Sequence, residues 1–317
     1  MMGEKSGTDR LLDEAIDLII RMQDDPDNPV AQSMIKRWRA RSTRHEQIWQ
    51  KVSGAHGMSG QVLKQRDKAE RKAKSRISRR KLVIGGLAGV GAIGAGSLSI
   101  PDALVWARAD HITPKGEVRR VTLADGSLST LGPESAIAVD YGERRRSVEL
   151  LRGMAFFEVA ADSGRPFVVK ARELAATASG TAFDISDDAG FIAISVAEGA
   201  VETIEAIGRA QRLGAGEWLS FDARRNTFDR GRRDVTQVAS WRDGLIIADE
   251  EAVGALVAKI GRWHPGRIVI LDASISEQRV SGLFDLSDPQ RALAAVVLPA
   301  GGRVRHVSSY LTVISPI

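Results

Sequence analysis

The chain has 317 residues, of which 43% are hydrophobic, enough for two or three domains with apolar cores. It contains no cysteine, which excludes disulfide bonds and thiolate metal sites. The net charge of +5 is unevenly spread, because residues 1–81 hold 19 Lys and Arg against 11 Asp and Glu, whereas the remainder holds 26 against 29. Such a basic cluster could bind nucleic acid, form a solvated linker or act as a topology signal beside a membrane, and its position before an uncharged run favours the topology signal.

Residues 1–60 are predicted to form a small α-helical domain. Apolar residues recur at helical spacing, and they are Leu12, Ala15, Ile16, Ile19 and Ile20. The sequence DDPDNP at 24–29 ends this helix, and two more helices are expected at Val30–Trp38 and His45–Val52. Trp38 and Trp49 are most simply core residues; the alternative is that one of them anchors a partner helix. His45 has no second metal ligand or catalytic partner nearby in the sequence and is expected to be structural.

A basic linker at 61–81 precedes an uncharged run at Leu82–Ile100. The linker has ten basic and two acidic residues, and the run has nineteen residues, which as a helix would reach about 28 Å. That length is close to the ~30 Å hydrocarbon core of a bilayer, so we predict a single transmembrane helix. Positive charge stays on the cytoplasmic side, which places the N-terminus in the cytoplasm and the C-terminal two-thirds outside.

The same run contains Gly89-x-Gly91-x-x-Gly94, which matches the spacing of a dinucleotide-binding fingerprint. Such a fingerprint must open a helix within repeated βαβ units. Here Pro101 would break that helix within two turns, and the residues that follow alternate in the manner of strands. The pattern therefore favours the membrane helix over a nucleotide site.

Residues 111–232 are predicted to form an all-β domain. Asp125-Gly126 is a hairpin signal, because both residues tolerate a positive φ. Strands are expected at Ala136–Tyr141, Ser147–Leu151, Ala155–Ala160, Pro166–Ala171, Thr181–Ser186 and Phe191–Val196, with glycines such as Gly153 at the turns between them. Short strands at this spacing favour a β-sandwich or a barrel-like domain.

Residues 240–317 are predicted to form an α+β module of order βαββαβ. Strands are expected at Gly244–Ile247, Arg267–Leu271, Val280–Asp285, Arg303–Val307 and Tyr310–Ile314. Asp249 is expected to cap the first helix, and Ser287-x-x-Gln290 resembles a capping box before the second. Edge strands of such a module could accept a partner strand, although they could equally be covered.

The common catalytic constellations are missing from the sequence. It has no G-x-S-x-G, no H-E-x-x-H and no phosphate loop, and its five His residues are scattered without metal-ligand spacing. We therefore expect no enzyme with turnover, no cofactor and no metal. The exception to consider is Gly180-Thr181, where a Thr hydroxyl could attack the preceding carbonyl and cleave the chain once. The alternative for this pair is a tight turn that enters the Phe183 strand.

The sequence resembles FecR-like transmembrane sensors in two regions. In the first region the match is carried by Ala15 to Met22 and by Trp38-x6-His45-x3-Trp49-x2-Val52. In the second region it is carried by motifs in the family's order, which include Asp125-Gly126-Ser127, Gly153-x-Ala155-Phe156, Arg165-Pro166-Phe167, Gly180-Thr181-x-Phe183 and Glu198-Gly199. Most of these residues are expected to serve folding, with Phe156 and Phe167 in the core of the β-domain and Arg165 in a surface ion pair. The C-terminal module resembles that family's C-terminal region and the short signalling domain of certain TonB-dependent receptors.

This resemblance implies a single-pass inner-membrane anti-sigma factor. Its cytoplasmic domain would bind an extracytoplasmic-function sigma factor through Trp38, His45 and Trp49. Its periplasmic module, with Trp241 and Gly244, would meet the signalling domain of a TonB-dependent outer-membrane receptor, and the regulated genes would serve uptake of iron or another nutrient. Some relatives are processed at a Gly-Thr bond like Gly180-Thr181. The alternatives are an anchored periplasmic scaffold or cell-wall-binding protein, and a nucleic-acid-binding cytoplasmic domain.

Overall fold

The computed structural model describes residues 10–11, 14–19, 29–50, 52–53, 105, 107–205, 210–308 and 310–317. The chain divides into two compact units, residues 1–103 and residues 104–317. The predicted linker at 61–81 and the predicted membrane helix at 82–100, with its glycine fingerprint, lie outside the described residues, as do Leu12 and Ile20. Among the helices that are described, none combines the length and the apolar character needed to cross a membrane.

The first unit is helical, in agreement with the prediction. Residues 14–19 and 43–50 are helical, and helix α1 spans Pro29–Arg39 between them. The apolar faces of these segments are buried together with Trp38 and Trp49, and the members of this small core are Ala15, Ile16, Leu18, Ile19, Ile35, Trp38, Ile48, Trp49 and Val52.

The second unit begins with thirteen strands. They are β1 His111–Ile112, β2 Arg119–Thr122, β3 Leu128–Leu131, β4 Ala136–Tyr141, β5 Arg146–Glu158, β6 Phe167–Ala171, β7 Leu174–Ala178, β8 Ala182–Asp188, β9 Phe191–Glu198, β10 Ala200–Glu205, β11 Ala210–Gly214, β12 Glu217–Asp222 and β13 Thr227–Arg232. The prediction for β4 has the observed bounds. The two strands predicted at 147–151 and 155–160 are wrong as separate elements, because a single strand, β5, runs through both.

Strand β5 joins two sheets. Its first half pairs with β4 and β6, in a sheet that continues through β7, β10 and β11. Its second half pairs with β3 and β8, in a sheet that continues through β9, β12 and β13. Buried side chains from both sheets form one core, as the predicted sandwich requires.

Gly153 lies where β5 passes from one sheet to the other. It was predicted to punctuate two strands, but it bends one strand with a φ of +95°. A Cβ atom at this position would lie 2.5 Å from the Cα of Ser135. Ser135 lies this close to Gly153 because its hydroxyl accepts a hydrogen bond from the Met154 N–H at 2.9 Å. Only glycine suits both the conformation and the close approach.

The C-terminal module follows two short 3-10 turns. Its elements are β14 Leu245–Ala252, α2 Val253–Gly261, β15 Arg267–Ile270, α3 Ala273–Glu277, β16 Arg279–Asp285, α4 Pro289–Val297, β17 Gly302–Ser308 and β18 Leu311–Pro316. Strands β14 and β16 form one antiparallel pair, and β15, β18 and β17 form a separate three-stranded sheet. The module is α+β as predicted and contains all five predicted strands, one more than the βαββαβ order names, but the short helix α3 was not predicted.

Two predicted helix caps are wrong. Asp249 lies inside β14, which continues to Ala252, so helix α2 begins without a side-chain cap. Helix α4 is capped by Asp288, whose carboxylate accepts a hydrogen bond from the Arg291 N–H at 3.0 Å. Ser287 precedes this cap by one residue. The Asp carboxylate replaces the predicted Ser hydroxyl because Pro289 occupies the first helical position, directly after Asp288.

Candidate functional site

The three aromatic residues predicted to bind a sigma factor lie together in the helical unit. The Trp38 ring meets His45 edge-on, with centroids 4.8 Å apart, and lies 6.4 Å from the Trp49 ring. The Trp38 indole N–H donates to Glu14 at 2.7 Å. Both Trp side chains are buried, so they hold the helices together, and half-buried His45 is positioned by a 2.8 Å contact with the Ser42 hydroxyl.

A different face of α1 is exposed. Val30 is 63% exposed and Met34 is 36% exposed, and the two residues are one helical turn apart. Ile35 and Trp38 of the same helix face the core instead. Val30 and Met34 are therefore exposed apolar residues on the outer side of α1, on a different face from Trp38. The assignment of sigma-factor binding to Trp38, His45 and Trp49 stays a prediction.

Gly180 and Thr181 lie at the crossing from β7, in one sheet, to β8, in the other. Gly180 has a φ of +60°, and Thr181 is only 5% exposed. The Thr181 carbonyl accepts a hydrogen bond from the Val159 N–H at 2.8 Å, whereas its hydroxyl has no hydrogen-bond partner among the described residues. A buried hydroxyl without a partner costs about 1–3 kcal/mol relative to one that is hydrogen-bonded.

Gly199 leaves room for the Gly180–Thr181 bond because it has no side chain. It has a φ of +78°, and a Cβ atom there would lie 2.8 Å from Cγ2 of Thr181 and 3.4 Å from the carbonyl oxygen of Gly180. The backbone at residue 199 thus packs directly against the Gly180–Thr181 peptide. Three of the family motif residues, Gly180, Thr181 and Gly199, converge here, and Phe183 continues from them into the core.

A buried ion pair positions the segment that covers Gly180. Arg146 Nη1 donates to Asp125 at 2.6 Å and to the Ala160 carbonyl at 2.9 Å, and Arg146 Nε donates to the Arg165 carbonyl at 3.0 Å. Both side chains of the pair are buried, at 0% and 3% exposure. Residues 160–165 are thereby fastened to the sandwich, and the neighbouring Ala161 lies over Gly180.

Asp125 is the acceptor at the centre of this network. Besides Arg146 it accepts hydrogen bonds from the backbone and hydroxyl of Ser127 and from the hydroxyl of Tyr141. Burial alone would raise the pKa of the Asp125 carboxyl, but these hydrogen bonds outweigh it and hold the pKa below its ordinary value. Burial and the Asp125 charge raise the pKa of Tyr141, which therefore stays protonated and donates.

The C-terminal module rests on the outer face of the second sheet. Phe156, predicted as a core residue of the β-domain, faces outward and packs in the module's core together with Met154 and Trp241. The Arg242 guanidinium lies 3.7 Å from the centre of the Phe156 ring. The Trp241 indole N–H donates to the Asp184 carboxylate at 2.9 Å. Trp241 is therefore buried at the junction, and Gly244 lies in the turn beside it with a φ of +79°.

A second contact region lies at the end of α2. Arg262 donates to the Asp187 carbonyl at 2.6 Å and is paired with buried Asp188 at 2.7 Å. From the β-domain, the Lys115 ammonium donates to the Gly261, His264 and Gly266 carbonyls at 2.9–3.3 Å. Burial raises the pKa of Asp188, and Arg262 and Lys259 oppose that rise. These contacts fix the module to the β-domain through polar groups as well as through apolar packing.

The remaining motif residues have structural positions. Phe167 and Phe183 both pack against Phe157, with ring centroids 5.6 Å apart. Gly126 forms the predicted hairpin with a φ of +84°, and the Pro166 carbonyl accepts from the Arg146 N–H at 3.0 Å. Arg165 pairs with Asp162 at 3.0 Å on the surface. Within the ranges that the structure describes, no three acidic or His side chains are grouped as a metal site.

Comparisons with known proteins agree with this architecture. Residues 109–202 match the family model described as FecR protein, and residues 13–54 match a domain of unknown function, DUF4880. Two crystal structures of a "putative anti-sigma factor" from Parabacteroides distasonis ATCC 8503, at 1.65 and 2.50 Å, each align with a TM-score of 0.59 and 23% identity. The alignments cover 65% of this chain and 98% of those chains, and at this identity they show a shared fold. No curated protein matches the chain. The matches confirm the resemblance to the FecR-like family.

Proposed function

We propose that this chain, which carries a FecR domain, is a single-pass inner-membrane regulator of a sigma factor. The observation that carries the proposal is the order of three features along the chain: the DUF4880 match at 13–54, the uncharged run at 82–100 and the FecR match at 109–202. The fold shared with a protein described as an anti-sigma factor supports it.

In this proposal the helical unit lies in the cytoplasm and holds an extracytoplasmic-function sigma factor. The FecR domain and the C-terminal module lie in the periplasm, where the module meets the signalling domain of a TonB-dependent receptor. The regulated genes would serve uptake of iron or another nutrient. A periplasmic signal can reach the helical unit in two ways. The membrane helix can change which state of the helical unit is populated, or proteolysis can cut the connection between the two sides.

The exposed pair on α1 gives the sharpest test of the cytoplasmic part. We expect Val30→Asp/Met34→Asp in the full-length protein to abolish co-purification of the sigma factor, because a charge would be buried in the interface. Both positions are exposed, so the helical unit should remain folded. Gln47→Asp, on the exposed part of the helix at 43–50, is the matched control and should leave co-purification unchanged.

The alternative, an anchored scaffold or cell-wall-binding protein, predicts a different result. No sigma factor would then co-purify even with the wild-type chain. Protease added to spheroplasts tests the topology separately, since our proposal requires the residues beyond 101 to be digested and residues 1–81 to be protected. Protection of the C-terminal part would contradict the proposal.

We further propose that the Gly180–Thr181 bond is cleaved once by the chain itself. The Thr181 hydroxyl oxygen would attack the Gly180 carbonyl carbon, the C–N bond would break, and the hydroxyl proton would pass to the new Thr181 amine. Water would then hydrolyse the resulting ester, giving a Gly180 carboxylate and restoring the Thr181 hydroxyl. The Thr181 hydroxyl, which is buried and has no hydrogen-bond partner among the described residues, supports the cleavage over a turn with only a structural role.

Three variants separate cleavage from a structural turn. On a denaturing gel we expect fragments 1–180 and 181–317 from wild type and from Thr181→Ser, which keeps a nucleophile. We expect one intact chain from Thr181→Val, which has the same shape and should fold at least as well because it removes an unsatisfied group. Intact wild-type protein, or fragments from Thr181→Val, would refute the proposal.

A further inference from the structure

The segment 159–161, which directly follows strand β5, lies against the Gly180–Thr181 bond. The ladder between β5 and β8 continues here by one more hydrogen bond, from the Val159 N–H to the Thr181 carbonyl at 2.8 Å. Ala161 lies beside Gly180, since a Cβ atom built on Gly180 would be 3.5 Å from the Ala161 Cβ. The two outer residues of the segment therefore contact the two residues that share the bond.

Ala160, at the centre of this segment, is held by both of its backbone polar groups. Its N–H donates to the Ser127 hydroxyl at 3.0 Å, and its carbonyl accepts from Arg146 Nη1 at 2.9 Å. Asp125 joins these two side chains, because its carboxylate accepts from the Ser127 hydroxyl and from Arg146, both at 2.6 Å. Ser127 is fully buried, and so is the ion pair, so little water competes for these hydrogen bonds.

The same guanidinium holds the loop that begins with this segment at both ends. Arg146 Nη1 donates to the carbonyl of Ala160, and Arg146 Nε donates to the carbonyl of Arg165 at 3.0 Å. The path of Ala161 past Gly180 is therefore fixed from two points, both of which depend on one buried side chain.

We propose that Asp125, Ser127 and Arg146 are positioning residues for self-cleavage at Gly180–Thr181. The inference rests on the cleavage proposed above, in which the hydroxyl oxygen bonds to the Gly180 carbonyl carbon, the C–N bond breaks, the proton passes to the new amine, and water hydrolyses the ester. The three side chains bond to the backbone of Ala160 rather than to the Thr181 hydroxyl, which has no partner in the described part of the chain.

The physical reason is the narrow range of geometries in which the attack can occur. The hydroxyl oxygen must approach the carbonyl carbon closely and at a defined angle, and a displacement of about 1 Å can lower a rate about 100-fold. Val159 orients the Thr181 carbonyl and Ala161 limits the movement of Gly180, so loosening Ala160 between them should misplace the reacting atoms. The Asp125-Gly126-Ser127 motif is thereby connected to the distant Gly180-Thr181 motif.

Ser127→Ala and Ser135→Ala form a matched pair of variants. Each removes a hydroxyl that accepts a hydrogen bond from a backbone N–H, that of Ala160 at 3.0 Å for Ser127 and that of Met154 at 2.9 Å for Ser135. The two serines are 0% and 1% exposed, so we expect the two variants to lose similar amounts of stability. Only Ser127→Ala loosens the segment 159–161.

The test follows the full-length protein in cells by pulse-chase labelling, as the conversion of the intact chain into fragments 1–180 and 181–317. Ser127→Ala should slow this conversion about tenfold or more, whereas Ser135→Ala should change it less than about twofold. Resistance to trypsin at each time point shows that each variant has folded, so the comparison is between folded molecules.

Arg146→Lys provides a second variant in case Ser127→Ala does not fold. It keeps a positive charge beside Asp125, but an ammonium group cannot reproduce the fixed contacts of the planar guanidinium with two carbonyls, so cleavage should again be slower. Equal rates in folded Ser127→Ala and Ser135→Ala, or the wild-type rate in folded Arg146→Lys, would overturn the positioning role and leave the cleavage itself intact. A wild-type chain that is never cleaved would overturn both.

Discussion

The buried pair Arg146–Asp125 allows a quantitative prediction, because its partners and burial are known. Arg146→Met removes the guanidinium and leaves the Asp125 carboxylate buried beside two hydroxyls and a backbone N–H. Removing one member of a buried ion pair costs about 3–5 kcal/mol. For a unit of the size of residues 104–317, each kcal/mol lowers the melting temperature by about 2–4 °C, so we expect a decrease of about 6–20 °C.

The matched control is an exposed Arg–carboxylate pair on the same domain. Arg120 donates to Glu158 at 2.9 Å, and their side chains are 59% and 40% exposed. Arg120→Met should cost less than about 1 kcal/mol, because water screens the pair. The double variant Asp125→Leu/Arg146→Met should cost clearly less than the sum of the two single variants, since it removes both buried charges.

The assay is chemical and thermal unfolding of the full-length protein, followed by near-ultraviolet circular dichroism. The pH dependence provides a second readout. Because the pKa of folded Asp125 lies below its unfolded value of about 3.9, its contribution is complete above that value and is lost as the pH falls further. Asp125→Asn should lack this loss. The reasoning would be refuted by an Arg146→Met variant that is no less stable than Arg120→Met.

Three further predictions concern single positions. Gly153→Ala should destabilise the second unit by about 2–4 kcal/mol in urea unfolding, because it combines a positive φ with a contact to the Ser135 backbone; Gly190→Ala, with a positive φ but open space, should cost less. Asp184→Asn should flatten the pH dependence of stability between about pH 4 and 6. Burial raises the pKa of Asp184 to about 6, so wild type gains about 1–3 kcal/mol of stability on acidification through that range. An unchanged profile in the variant would exclude Asp184 as the titrating group. Gly199→Ala should reduce both stability, by about 1–3 kcal/mol, and the amount of the 181–317 fragment, because its methyl would displace Thr181; undiminished cleavage in a destabilised variant would show that the packing at residue 199 does not affect the reaction.

Local patterns predicted most of the strands but could not indicate which contacts form over long distances. The alternation of Phe183, Ile185 and Val196 shows which face of each strand is buried in the sandwich. It gives no sign that the opposite face, with Phe156 and Asp184, is covered by a second module. That information lies in the fold as a whole, which is why Phe156 was assigned to the wrong core.

Arg146 could have been found from the sequence. The predicted strand begins at Ser147, one residue after Arg146, yet Arg146 stands at the period-two spacing of Val148 and Leu150, which are both buried. The same spacing places Arg146 inside, where a carboxylate partner becomes necessary. The helix caps at Asp249 and Ser287 failed for another reason. Strand β14 continues past Asp249 to Ala252, and Asp288, directly before Pro289, caps the later helix instead of Ser287.

Strand β8 connects the features on which the proposals depend. Thr181 precedes its first residue, Phe183 is buried in the sandwich, Asp184 binds Trp241 of the module, and Asp188 pairs with Arg262. Strand β8 is hydrogen-bonded to β5, which precedes the Gly180–Thr181 bond in the sequence, and to β9, which follows it. Cleavage at this bond would therefore leave the two fragments held together by interleaved strands, and a separate force would be needed to part them. A partner that displaces the module would act on β8 through its contacts at Asp184 and Asp188. Strand β8 belongs to fragment 181–317 and is one of the strands that must separate from fragment 1–180.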